Sequence, residues 1–202
     1  MERVGERKGA AVLKPKFLQR PTPELSVGRA HFGSEIKRRL PWILLSVAAG
    51  VVMILIGQGY EHVLAQKIQL VYFIPMIVYM SDSIGTETLA LFVRELALRR
   101  LSLRHIFIKE LFVGLFLGAA SGLPMGLLCY LWLWDVALSA TVACAMIING
   151  MFAVLIGMVV PTLFARFGRD PAVGTEEIAT AISDNLSMLV YFIVATLLLF
   201  WR

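Results

Sequence analysis

Five stretches of about twenty or more mostly apolar residues dominate this chain, and that length is what an α-helix needs to cross the hydrocarbon of a bilayer. They run from Leu40 to Gly57, Ile68 to Leu98, Ile106 to Trp134, Val136 to Ala165 and Ile178 to Trp201. The second is interrupted by a polar patch from Ser81 to Glu87. A spanning segment must satisfy its backbone internally, so helices are the only form these stretches can take. Composition agrees: apolar residues make up 58% of the 202 and charged residues 16%, against about 25% charged in soluble domains. The fold class expected is an all-α membrane protein with five transmembrane helices.

Charge placement sets the orientation. Ten Lys or Arg lie in residues 1–39, five more between Arg94 and Lys109, and Arg166 and Arg169 follow the fourth stretch. The other side holds only Lys67 and Arg202. Basic loops stay in the cytoplasm, so the amino terminus is expected inside and the carboxyl terminus outside. The pI near 9.5 follows from this pattern, and no nucleic-acid partner is read from it. Residues 1–39 are expected to form a basic, flexible cytoplasmic arm within reach of anionic lipid, and 40–202 the membrane domain. Pro41 is expected in the first turn of its helix, where its missing N–H costs nothing.

Gly114, Gly118, Gly122 and Gly126 recur every four residues along the third stretch. On a helix they share one face and admit a neighbouring backbone, making a packing seam within or between subunits. Pro124 and Pro161 are expected to kink their helices. Cys129 and Cys144 lie in apolar runs without metal or disulfide spacing and are read as core residues. Asp135 is expected in a solvated outer turn.

The acids inside the apolar stretches carry the functional signal. Asp82, Glu87 and Asp184 each cost about 3 kcal/mol on an insertion scale near the bilayer centre, which marks them as functional candidates. Thr180, Asp184, Ser187 and Tyr191 fall on one helical face, with Ser183 and Asn185 widening it, as in the wall of a wet pathway. In the second stretch, Asp82 with Thr86 and Ser83 with Glu87 are four apart, and Ser81 and Gly85 complete a patch of small polar groups. Gly85 is expected to loosen that helix and free backbone carbonyls. Oxygen ligands without nitrogen or sulphur suit a hard cation such as Mg²⁺ or Ca²⁺ better than zinc or copper. Glu95 with Arg99 reads as an ordinary helix pair, Lys109 and Glu110 as a boundary anchor, and Asn149 as inter-helix glue. No phosphate-binding loop, zinc-protease motif or serine-hydrolase elbow is present. Asp82 and Asp184 lack the YD and GxGD contexts of an intramembrane aspartyl protease, so no enzyme is expected.

The run FIPMIVYMSDSIGTETLALFVRELALRRLS, then KELFVGLFLGAASG, GMVVPTLFARFGRDPA and IATAISDNLSMLVYF, resembles the membrane domain of the MgtE magnesium transporters over about residues 70–200. The most specific part is the Asp170–Ala172 DPA element with Asp184 fourteen residues after Asp170. The resemblance implies a homodimer with an ion path at its interface, lined by the second and fifth helices, and Asp184 as a magnesium contact. It implies Mg²⁺ as transported ion rather than cofactor, in a prokaryotic inner membrane. The polar patch SDSIGTE departs from the family's Gly/Asn-rich stretch, Val154 replaces a family asparagine, and Glu177 a proline. No counterpart of the family's cytoplasmic sensor domains is found, which points to a membrane-domain-only version. Two rival readings are a proton- or sodium-coupled exchanger titrating Asp82 and Glu87, and a non-conducting accessory half that pairs with a second half through the glycine seam.

Overall fold

The computed structural model describes residues 32–98, 103–169, 171 and 174–200. Its helices are α1 (Phe32–Gly59), a short α2 (Glu61–Gln66), α3 (Leu70–Leu98), α4 (Leu103–Leu133), α5 (Val136–Arg166) and α6 (Thr175–Ala195), the last continuing as a π-helical turn at Thr196–Phe200. Five of them, all but α2, are long and apolar enough to cross a membrane. The five expected spans are therefore borne out. Residues 1–31, Arg99, Asp170, Ala172, Trp201 and Arg202 lie outside the described residues.

Two boundaries differ from expectation. Helix α1 starts at Phe32, inside the stretch assigned to the arm, so Pro41 sits in the helix interior rather than its first turn. The carbonyl of Lys37 therefore has no backbone donor four residues on. Helix α6 starts at Thr175, which puts Glu176 and Glu177 in its first turn, where negative charge complements the positive end of the helix.

Helices α3, α5 and α6 form the centre, with α4 laid against α5 and α1 against α6. Close approach explains the arrangement. A Cβ on Gly118 would lie 2.7 Å from the Ile147 carbonyl oxygen, and one on Gly114 would lie 2.7 Å from that of Gly150. The seam is thus filled from within the subunit by α5, which removes it as a surface for a second half. Gly157 repeats the device between α5 and α3: its Cβ would come within 2.5 Å of the Gly85 carbonyl oxygen. Gly85 does not loosen α3, which runs unbroken from Leu70 to Leu98; it is a contact point. Backbone contact of this kind supplies the dispersion energy that lipid, being as apolar as leucine, denies to helix association.

The connections are fixed by specific groups. Asp135 is not merely solvated. It caps α5, accepting from the Leu138 N–H at 2.9 Å, and pairs with Lys67 from the α2–α3 turn. Beside it Trp134 adopts a left-handed conformation (φ 53°). At the opposite end Gly174 (φ 77°) precedes α6, and the Trp42 ring of α1 occupies the space its Cβ would need. Cys129 is buried as expected, whereas Cys144 is exposed on the outward side of α5. The inward face of that helix is taken by Ala143 and Ile147 against α4.

Gly118→Val is expected to force α4 off α5 and lower stability by about 1–3 kcal/mol, read as a lower Tm in detergent. The Leu138 N–H and the Lys67 ammonium hold the Asp135 carboxyl below its ordinary 3.8. A depressed carboxylate adds stability that is complete above its unfolded pKa and lost as pH falls through the folded one. Thermal stability is therefore expected to drop below about pH 4, with a shallower drop in Asp135→Asn, which keeps the cap but loses the ion pair.

Candidate functional site

The polar groups of α6 are shared among three neighbouring helices. Thr180 donates to Asp82 Oδ1 of α3 at 2.8 Å, and Thr86 reaches the same oxygen at 3.4 Å. The hydroxyls of Ser183 and Ser81 meet at 3.1 Å, both buried. The Asn185 amide donates to the Ala49 carbonyl of α1 at 3.1 Å. Ser187 donates to the Asp184 carbonyl at 2.9 Å, and the Asn149 amide of α5 donates to the Ser187 carbonyl at 3.1 Å. Tyr191 donates to the Leu70 carbonyl at the start of α3, 2.9 Å away.

This resolves the stripe into two parts. Ser187 and Tyr191 are buried between helices and hold the bundle together. Thr180 and Asp184 are half-buried and face the groove between α3 and α6, where Asp82 and Thr86 are also half-buried. Thr180 and Asp184 are neighbours on one helical face, roughly 5–6 Å apart at Cβ. The hydroxyl that holds Asp82 therefore keeps that carboxylate within electrostatic reach of Asp184.

The two acids are treated differently. Asp82 has its threonine donors, whereas Asp184 Oδ1 is buried with no hydrogen-bond partner. Magnitudes show that the protein alone does not settle either charge. A carboxylate at mid-span costs about 3 kcal/mol, while an inter-helix hydrogen bond in a membrane averages about 0.6 kcal/mol. Two threonines offset under half of that for Asp82, and no hydrogen bond reaches Asp184 Oδ1. Water, a cation or a proton supplies the remainder.

Ser83 and Glu87 are placed apart from this group. Both are exposed and, with Tyr79, follow one another at four-residue spacing along the outward face of α3. Gly85 and Ser81 turn inward, against α5 and α6. Among the described residues no group of three or more His, Cys, Asp or Glu could hold a metal ion. A cation held by one copy would have at most the Asp82–Asp184 pair and neutral oxygens. Val154 is buried at the α4–α5 contact, and Glu177 is half-buried in the first turn of α6.

Some of this escaped the sequence. The Lys67–Asp135 pair spans 68 positions and different turns, with no local spacing to signal it. Asn149 reads correctly as inter-helix glue, yet its partner, a backbone carbonyl, is invisible in any side-chain pattern.

Residues 74–194 match the family model described as MgtE, divalent cation transporter. The chain is similar to the magnesium transporter MgtE of Thermus thermophilus, with 33% identity over 80% of this chain and 36% of that protein. The magnesium transporters MgtE of Enterococcus faecalis and Bacillus subtilis are 29% and 27% identical, each over 79% of this chain and 36% of the relative. The chain thus spans about a third of the length of the curated relatives it matches.

Proposed function

The chain belongs to the MgtE family of divalent cation transporters, and from that premise we propose that it passes Mg²⁺ across the membrane between two copies of itself. It is an integral, multi-pass membrane protein; a prokaryotic inner membrane, with the amino terminus inside, fits its basic loops. The path is lined by α3 and α6, and Asp184 is the principal ion contact, with Asp82 beside it and Glu87 nearer the cytoplasmic end.

The observation that carries this reading is the half-buried Asp184 with an unpartnered oxygen at mid-span. The exposed line of Ser83 and Glu87 supports a second copy. Lipid does not solvate a carboxylate at that depth, so such a face turns to protein or to a water-filled cavity. Two copies of Asp184 across a twofold axis match the charge of one divalent ion. Mg²⁺ keeps most of its hydration shell in such sites, so contact through water suits a groove with few direct ligands. The membrane potential, worth about 2.3 kcal/mol per elementary charge per 100 mV, favours entry of a divalent cation without ATP.

Purified protein in dye-loaded proteoliposomes is expected to admit Mg²⁺ without a pH or Na⁺ gradient, and Asp184→Ala is expected to reduce entry to background. Glu87→Gln is expected to slow entry only about fivefold, the effect of roughly 1 kcal/mol between a solvated charge and the ion. Flux that requires a proton or Na⁺ gradient would favour an exchanger. No flux from folded protein would favour a non-conducting accessory half.

A further inference from the structure

Asn149 of α5 is 2% exposed where that helix meets α6, yet only half of its amide is used. Its nitrogen donates to the Ser187 carbonyl, and its Oδ1 is buried without a partner. The orientation is not interchangeable, because the flipped amide would set two carbonyl oxygens against each other. A leucine, with the same number and branching of side-chain heavy atoms, would leave no orphan acceptor here, so packing alone does not account for an asparagine.

What the amide grips is the turn of α6 that carries Asp184. Asn149 holds the Ser187 carbonyl, and the Ser187 hydroxyl holds the Asp184 carbonyl, so two hydrogen bonds in series link α5 to the backbone of the acid. On the other side of Asp184, Ser183 and Thr180 are held by α3. Rotation of α6 about its axis is thereby opposed from both sides, with Asp184 between the two grips. Asp184 Oδ1 has no partner of its own, so the aim of that oxygen follows the backbone that carries it.

We propose that Asn149 is a positioning residue for the ion site: through Ser187 it fixes the rotation of α6 that aims Asp184 into the groove between α3 and α6, and so tunes discrimination between Mg²⁺ and larger divalent cations. The inference rests on the reading of Asp184 as the ion contact. A small cation with strict octahedral geometry needs a rigid ligand frame, whereas Ca²⁺ accepts a loose one. Loss of the grip therefore harms Mg²⁺ more than Ca²⁺.

The test measures the half-saturating Mg²⁺ concentration for uptake, and inhibition of that uptake by Ca²⁺, in proteoliposomes of the full chain. Asn149→Leu is expected to raise the Mg²⁺ concentration about tenfold, the usual scale for removing a group that orients a metal ligand, and to make Ca²⁺ a relatively stronger inhibitor. Asn149→Gln, which keeps the donor, is expected to recover part of both losses and also serves if the leucine variant does not fold. Thr141→Val is the control for a buried polar group on the same helix, since Thr141 bonds only the Ala137 carbonyl of its own α5; it is expected to change neither quantity. Wild-type values for both quantities in Asn149→Leu, with Asp184→Ala inactive, would overturn the inference and leave the pore reading standing. Retained uptake by Asp184→Ala would overturn both.

Discussion

Hydrocarbon offers no hydrogen bonds, and the arrangement of this protein depends on where its mid-span polar groups find partners instead. Helix α6 presents the problem in concentrated form, with Thr180, Ser183, Asp184, Asn185 and Ser187 within eight positions. Four of these five side chains bond neighbours: Asp82 and Ser81 on α3, Ala49 on α1, and the backbone of α6 itself. Asp184 keeps a buried Oδ1 without a partner, as the Asn185 amide oxygen also does. The helix is thus held on several sides while its acid is left free, which is the division of labour a binding site needs: rigid support and an available ligand.

That support rests on small residues. Gly114, Gly118, Gly122 and Gly126 let α4 meet the backbone of α5, and Gly157 brings α5 onto α3 at Gly85. Helices α3, α4 and α5 become a fixed frame against which α6 is registered. Helix α1 is different. Its most apolar window holds no fully buried residue, and it leans on α6 through contacts that include Asn185 to Ala49, Met188 against Gly57, Trp42 over Gly174, and Met53 and Ile56 against the core. Most of its surface is left for lipid or a neighbouring copy.

The spans were legible because a bilayer imposes a simple length rule, and Asp82, Glu87 and Asp184 stood out because charge is rare there. The glycine seam was legible as a seam, but its partner was not, since periodicity on one helix says nothing about which neighbour fills it. Pro41 was misplaced because the charged Lys37–Arg39 segment looks like a loop by hydropathy, while a helix can project beyond the hydrocarbon. Gly85 was read for its flexibility when its lack of a side chain mattered more. Ser187 and Tyr191 share a face with Asp184 in projection, yet α5 and the start of α3 cover that end of the stripe. Periodicity gives the direction of a side chain and omits what stands in front of it.

The proposed pore sets the outward polar face of α3 against a second copy around a wet path. Cysteine cross-linking in membranes tests it most directly, with Cys129 and Cys144 first replaced by alanine. Ser83→Cys should form a disulfide-linked dimer under mild oxidation, protected by added Mg²⁺ or altered in rate by it. Phe116→Cys, on the exposed face of α4, should remain monomeric. Cross-linking through Phe116 and none through Ser83 would contradict the account, because it would put the polar face of α3 away from any second copy.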